Sequence, residues 1–315
     1  MVVVEADGNY VQPFTTDNIH IHSGETYSVL ITTNQSPNTN YWISVSVTGG
    51  ETTPQALAIL NYRKNKNPNN TLLPTSPPPL KPQFGGYNLT KAFTHKILAL
   101  KGTTPQPPHY YNRRLHFLIT ENLVDGHQKY AINNISLVLP LTPYLAAIKY
   151  KINGAFDQNP PPDNFSADYD IFARPSNPNA KSGNGVYTFE LDDVVDVVLQ
   201  NGVSLNERNM SEMSLHPWHL HGHEFWVLGY GEGKFEEGDE RKLNLRNPPL
   251  RNTVVVFPYG WSALRFRADN PGVWAFHCHI EGHFEMGMGV VFAEGVEHVK
   301  GIPRDAMGCG LTRNI

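Results

Sequence analysis

The most constraining feature of this chain is its last hundred residues, written in short apolar runs separated by turn residues. EFWVLGY (224–230), NTVVVFPYG (252–260), WSALRFRAD (261–269), GVWAFHCHI (272–280) and GMGVVFAEG (287–295) follow one another closely. Each is too short for a stable core helix and rich in the β-branched and aromatic residues that suit a pleated surface. Gly, Pro and Asn punctuate them, which favours antiparallel strands in a sandwich or barrel. Similar runs appear earlier: ETYSVLITT (25–33), YWISVSV (41–47), RLHFLIT (114–120), YAINNISLVL (130–139), and VYTFELDDVVDVVLQN (186–201), which reads as two consecutive strands. Between them, RKNKNPNNTLLPTSPPPLKPQFGG (63–86) is Pro- and Asn-rich, with a strand-like AFTHKILAL (92–100) beyond it. The expected organisation is a partial β unit over 1–62, a linker over 63–112 and a complete β-sandwich over 113–315.

Composition narrows the function classes. The chain has 315 residues, a formal charge of −4 and 40% apolar residues, and its Lys and Arg are scattered. That gives no footprint for nucleic acid or an anionic membrane. No apolar stretch is long enough for a transmembrane helix. MVVVEADGNY lacks the basic start and long apolar run of a signal peptide. Yet six N-x-S/T sequons, at Asn34, Asn69, Asn88, Asn134, Asn164 and Asn209, lean towards a secreted glycoprotein. The two cysteines are Cys278 and Cys309. If Cys278 is a metal ligand, Cys309 has no partner within the chain.

Fourteen histidines are present, and half of them fall in two windows: HPWHLHGH (216–223) and FHCHIEGHFEMGM (276–288). On a strand, side chains alternate between faces. His277 and His279 therefore point one way and Cys278 the other. His219 and His221 share one face, and His216 points away from them. Cys278, His283 and Met288 have the spacing C-x4-H-x4-M, and His216 can join them. A thiolate, two imidazoles and a weak thioether make the trigonal blue-copper ligand set. His219, His221, His277 and His279 can form a second metal site. Zinc would leave the thioether and the H-C-H triplet idle. His223 falls on the His219/His221 face by alternation, expected to support that site without ligating. Taken singly, a Cys, a His or a Met here is most simply a core or surface residue; the whole set is not what packing alone requires.

These two windows, HPWHLHGHEFWVLGYG and WAFHCHIEGHFEMGMGVVFAEG, resemble the multicopper oxidases, and among them the plant ascorbate oxidases more than the laccases. VVEADGNYVQPF and SGETYSVLITT are similar to part of that family's middle domain. FDQNPPP, NPPLRNTVVVFPYGW and NPGVWAFHCHIE are similar to its last domain. The resemblance implies an all-β, cupredoxin-like Greek-key sandwich, one complete domain plus part of a second. It implies copper as cofactor, a secreted enzyme, and ascorbate or a similar small reductant and dioxygen as partners, with a homo-oligomer possible. By motif position, His216, Cys278, His283 and Met288 match the type 1 ligands, with Cys278 and His283 the electron-handling pair. His219 matches the type 2 ligand, and His221, His277 and His279 match type 3 ligands. Tyr130 stands where the family usually has Trp, on the reductant side.

The family's trinuclear site takes four more histidines from a first domain with H-W-H and H-x-H motifs. Only His20-Ile-His22 is superficially similar, in the middle-domain match where the family has no ligand, and it reads as two exposed strand residues. The sequence is therefore expected to be the C-terminal part of such an enzyme, beginning inside the middle domain. In the family the counterpart of Cys309 bridges to the first domain. Oxygen chemistry is expected to need the missing half of the site. Half a sandwich over 1–62 is expected to expose apolar surface and promote aggregation. Two other readings stand beside the oxidase: a non-catalytic type 1 copper electron carrier, and a structural cell-wall glycoprotein.

Overall fold

The computed structural model describes residues 1–47, 53–62, 73–81, 86–173, 179–205 and 214–314. Most of the Pro/Asn-rich stretch and the sequons at Asn69 and Asn209 lie outside the described residues.

In chain order, β1 (Val2–Ala6), β2 (Asn9–Thr15) and β3 (Tyr27–Leu30) form a three-stranded sheet ordered β2–β1–β3. β4 (Tyr41–Val45) and β5 (Ala56–Leu60) pair with each other, and a short helix, α1 (Asn88–Thr94), follows. Then come β6 (Arg113–Val124), β7 (His127–Ile132), β8 (Ile135–Leu137), α2 (Tyr144–Lys149), β9 (Lys181–Gly183), β10 (Tyr187–Phe189) and β11 (Val194–Asn201). The chain continues through β12 (His216–Leu220), β13 (Phe225–Glu232), β14 (Leu250–Arg251), β15 (Thr253–Val256), β16 (Gly260–Arg267), β17 (Gly272–Cys278), α3 (Glu281–Glu285) and β18 (Gly289–Glu294).

Two sheets build the sandwich: β14–β13–β16–β11–β6–β7–β8–β9 and β10–β18–β17–β12–β15. Their facing side chains make one core, with Phe117, Leu199, Val227 and Phe266 from the first sheet and Trp218, Phe276, Met288 and Phe292 from the second or its connecting loop. β11 is buried along its whole length. Val195, Val197 and Leu199 enter this core, while Val198 on the opposite face packs with Trp226, Leu228, Phe235 and Trp261. The polar residues of that face are partnered, as burial demands. Asp196 is paired with Arg265, and Gln200 donates to the carbonyls of Gly233 and Gly260. The expected all-β sandwich is the observed architecture.

AFTHKILAL departs from its expected strand. Its first residues close α1, and only Ala99 makes a bridge, to Val11. Phe93 near the end of the helix and Ile97 in the segment beyond it are buried together against Val3, Ala6 and Val11. His20 and His22 are also not exposed strand residues. Both are partly buried in the connection between β2 and β3, and His22 is bonded to Glu25 and Thr90.

Candidate copper centre

The site is assembled by the middle of the five-stranded sheet. β12 lies between β15 and β17, so its register sets which histidines meet. Trp218 pairs with Cys278, and His219 pairs with His277. On the core face, the Cys278 Sγ lies 3.6 Å from His283 Nδ1 and 4.0 Å from His216 Nδ1, and the two imidazole nitrogens are 3.2 Å apart. These three ligand atoms all fall within 4.8 Å of one another. His216, Cys278 and Met288 are buried, while His283 reaches the surface in part.

Met288 is brought back by one helical turn. α3 carries His283 just beyond β17, and the Met288 N–H donates to the His283 carbonyl at 3.0 Å. The Cys278 N–H then donates to the Met288 carbonyl at 3.1 Å, closing the loop. Tyr130 lies against both imidazoles, with ring centroids 4.8 Å from His283 and 5.6 Å from His216. At 6% exposure it is a wall of this site, and the part of it that meets solvent is the His283 edge.

Burial sets the charge state of these groups. It pushes the Cys278 thiol up to about 12, against a weaker pull from the Ile280 backbone N–H. Burial, reinforced by His283, holds His216 well below the usual imidazole value, and burial lowers His283 as well. The imidazoles are thus neutral donors, and a cation must displace the thiol proton to bind. A soft thiolate, two neutral imidazoles and a buried thioether fit copper. They fit zinc poorly, because the thioether would go unused.

The other face of the same strands gathers His219, His221, His277 and His279. His221 Nε2 and His277 Nε2 are 3.0 Å apart. Ring centroids are 5.1 Å apart for His219–His221 and 5.6 Å for His219–His279, and His277 stacks on His279 at 6.0 Å. Two tautomers are fixed by the outer nitrogens. His219 Nδ1 donates to the Asn252 carbonyl at 2.9 Å, and His277 Nδ1 donates to the Cys278 carbonyl at 2.9 Å. Both leave Nε2 unprotonated, with its lone pair available to a metal, the arrangement typical of metal-binding histidines. Burial, with repulsion from the neighbouring imidazoles, takes His277 down to about 4 even though its bond to the Cys278 carbonyl acts the other way. His221 and His279 are exposed, so this cluster opens outward.

His223 does not share that face. β12 ends at Leu220, and Gly222 turns the chain at φ +72°, so alternation stops before His223. Its ring packs on Phe266 and Trp274. Its Nε2 lies 2.7 Å from the buried carboxylate of Glu294. Burial opposes a charge there, but Glu294 outweighs it and raises the His223 pKa.

Sequence reasoning missed a second group beside this cluster. Arg251, Asp7 and Glu25 are all buried, and Arg251 Nε donates to Asp7 Oδ2 at 2.9 Å. The signal was an Arg inside the apolar run before TVVV, because a buried cation requires a partner. Its partners, more than two hundred residues away, were not legible.

The comparisons with known proteins show the family. The multicopper oxidase family models match residues 1–65 and 149–298. The chain is 60% identical over 314 residues to an L-ascorbate oxidase of Cucumis sativus, covering 99% of the chain and 52% of that protein. It is 58% identical to an L-ascorbate oxidase of Nicotiana tabacum, covering 99% and 53%, and 35% identical to laccase-11 of Arabidopsis thaliana, covering 93% and 53%. It thus spans about half the length of these relatives. The laccase of Botrytis aclada shares its fold, with a TM-score of 0.64 at 22% identity over 97% of this chain and 49% of that one. A multicopper oxidase that functions in iron import does so with a TM-score of 0.63 at 22% identity, over 97% and 54%. Sequence, ligand chemistry and fold lead to one conclusion: the chain belongs to the multicopper oxidase family.

Proposed function

We propose that this chain carries the electron-accepting copper site and half of the oxygen-reducing copper site of an ascorbate oxidase. His216, Cys278, His283 and Met288 would hold the type 1 copper, His219 the type 2 copper, and His221, His277 and His279 type 3 coppers. When bound, copper supplies one-electron chemistry at the first site and reduction of dioxygen to water at the second.

The observation that carries the reading is Cys278, whose side chain faces one imidazole group while its two chain neighbours face the other. The backbone from Cys278 to His277 and His279 is a covalent path between the groups. The hydrogen bond from His277 Nδ1–H to the Cys278 carbonyl, at 2.9 Å, is a second connection. His283, with its partly exposed edge, meets the reductant, and Tyr130 packs against its ring to hold it in place. His219 and His277 are oriented by the carbonyls that accept their Nδ1 protons. The outward-facing cluster supports the view that four further histidines complete it.

The same reading divides the chain into a partial unit over 1–62, a connection over 63–112 and the copper-bearing unit over 113–315. It places the protein outside the cell. The exposed sequons at Asn34, Asn88 and Asn164 are the expected glycan sites. No helix among the described residues is long and apolar enough to cross a membrane.

Copper titration tests the assignment. The chain should develop the intense blue absorption of a thiolate-bound Cu(II), and Cys278→Ser should abolish it while leaving Cu(II) on the four imidazoles. Blue absorption that survives Cys278→Ser would sink the reading. Oxygen uptake driven by ascorbate should appear only when the other four ligands are supplied. A single copper per chain at saturation would favour the electron carrier instead.

A further inference from the structure

Arg251, Asp7 and Glu25, all buried, and the half-buried Tyr27 belong to neither group of ligands, yet they lie directly behind one of them. Besides its bond to Asp7, Arg251 donates from Nη1 to the Tyr27 hydroxyl at 3.0 Å, and its Nη2 lies 3.4 Å from Glu25 Oε1. Asp7 Oδ1 accepts the Thr26 N–H at 2.8 Å, and Glu25 Oε2 accepts the His22 N–H at 2.9 Å. The turn over residues 22–25 is therefore held at both ends by carboxylates paired with one guanidinium. What it presents outward is Gly24. The Gly24 carbonyl accepts the Thr253 hydroxyl at 3.1 Å, and that hydroxyl oxygen lies 3.2 Å from His219 Nδ1. On its other side, a Cβ on Gly24 would stand 2.7 Å from Cδ2 and 2.8 Å from Cγ of His279. The contact is at the base of the ring, so a swing of its tip cannot relieve it.

We propose that this clamped turn is a wall of the four-histidine cluster and positions the His219 and His279 imidazoles. The inference rests on reading those histidines as metal ligands. Its logic is that His279 is exposed, and an exposed imidazole needs a rigid surface to stay in one rotamer. Gly24, fixed by a buried ion cluster, is that surface, and any side chain there displaces the ring. Contacts that orient ligating imidazoles typically change metal affinity by roughly 10–100-fold.

The test uses two matched glycines. Gly24 has φ +86°, and Gly8, in the β1–β2 turn, has φ +87° with nothing within 4 Å of a built Cβ. Gly8→Ala thus carries the same backbone strain without touching His279. Ring ¹H–¹⁵N correlations of the metal-free chain and Cu(II) titration followed by electron paramagnetic resonance read the two variants. Gly24→Ala should shift the His279 resonances and weaken Cu(II) at the imidazole cluster by roughly tenfold or more, leaving the blue thiolate signal intact. Gly8→Ala should change neither. Thr253→Val, which keeps the strand but removes the hydroxyl, should shift His219 and serves if Gly24→Ala does not fold. A folded Gly24→Ala or Thr253→Val with wild-type ring resonances and Cu(II) affinity overturns the wall. Shifted rings in a chain whose imidazole cluster takes no Cu(II) support the wall and overturn the metal-site reading instead.

Discussion

Cys278 sits in the core with Trp218 across from it, while His277 and His279 reach the opposite side of the sheet. One peptide unit on either side of the thiol is enough to separate two groups of side chains, because a strand turns successive side chains through half a revolution. Met288 makes the corresponding point about donors. It is fully buried and linked through its backbone to both Cys278 and His283. Met288→Leu keeps the volume and removes the thioether, so metal-free stability should change by less than ~1.5 kcal/mol. Loss of a donor to the oxidised metal should raise the reduction potential of the blue site while its colour persists. Spectroelectrochemistry checks this, and an unchanged potential would exclude Met288 as a ligand.

Among elements, β15 and β14 matter as much as the histidine strands. They bring Thr253 and Arg251 against the turn that follows β2, so a segment from the start of the chain becomes part of the site. Arg251→Met would leave Asp7 and Glu25 buried without their cation. Breaking a buried ion pair on one side costs about 3–5 kcal/mol, so the urea midpoint should fall steeply. A change under about 1 kcal/mol would mean that water reaches these carboxylates. The strands of the sandwich were legible because alternation and turn residues are local. α1 was not, because a short apolar run such as AFTHKILAL does not distinguish a strand from a helix end by itself. Only the packing on Val3, Ala6 and Val11, far away in sequence, buries Phe93 of the helix and Ile97 beyond it together. His223 was misplaced for a similar reason: alternation holds only while the strand lasts, and Gly222 ends it.

For the whole molecule, charge and exposed apolar surface govern behaviour in solution. Burial lowers the pKa of His95, His116, His216 and His277 below their ordinary value of 6.5, for His277 to about 4. Between pH 6.5 and about 4, the unfolded chain binds protons that the folded chain refuses. Its stability therefore falls as pH falls through that window. The thermal midpoint of the metal-free chain should be highest near neutrality and drop below pH 6.5; a midpoint flat from pH 7 to 5 would contradict this. The β4–β5 pair exposes Ile43, Val45 and Leu57, at 46%, 66% and 42%. An apolar two-stranded sheet of this kind favours association. Light scattering should show concentration-dependent self-association, reduced by Val45→Lys.

The sequence by itself determined the class of fold and the sorting of the clustered histidines and Cys278 onto two faces. Both follow from a period of two residues that any strand carries along its own backbone. Tertiary structure decided which residues face one another across chain distance: His219 opposite His277, and Arg251 on Asp7, 244 residues apart. Those pairings follow from strand register and from the need of a buried charge for a partner. Neither is written in any local window.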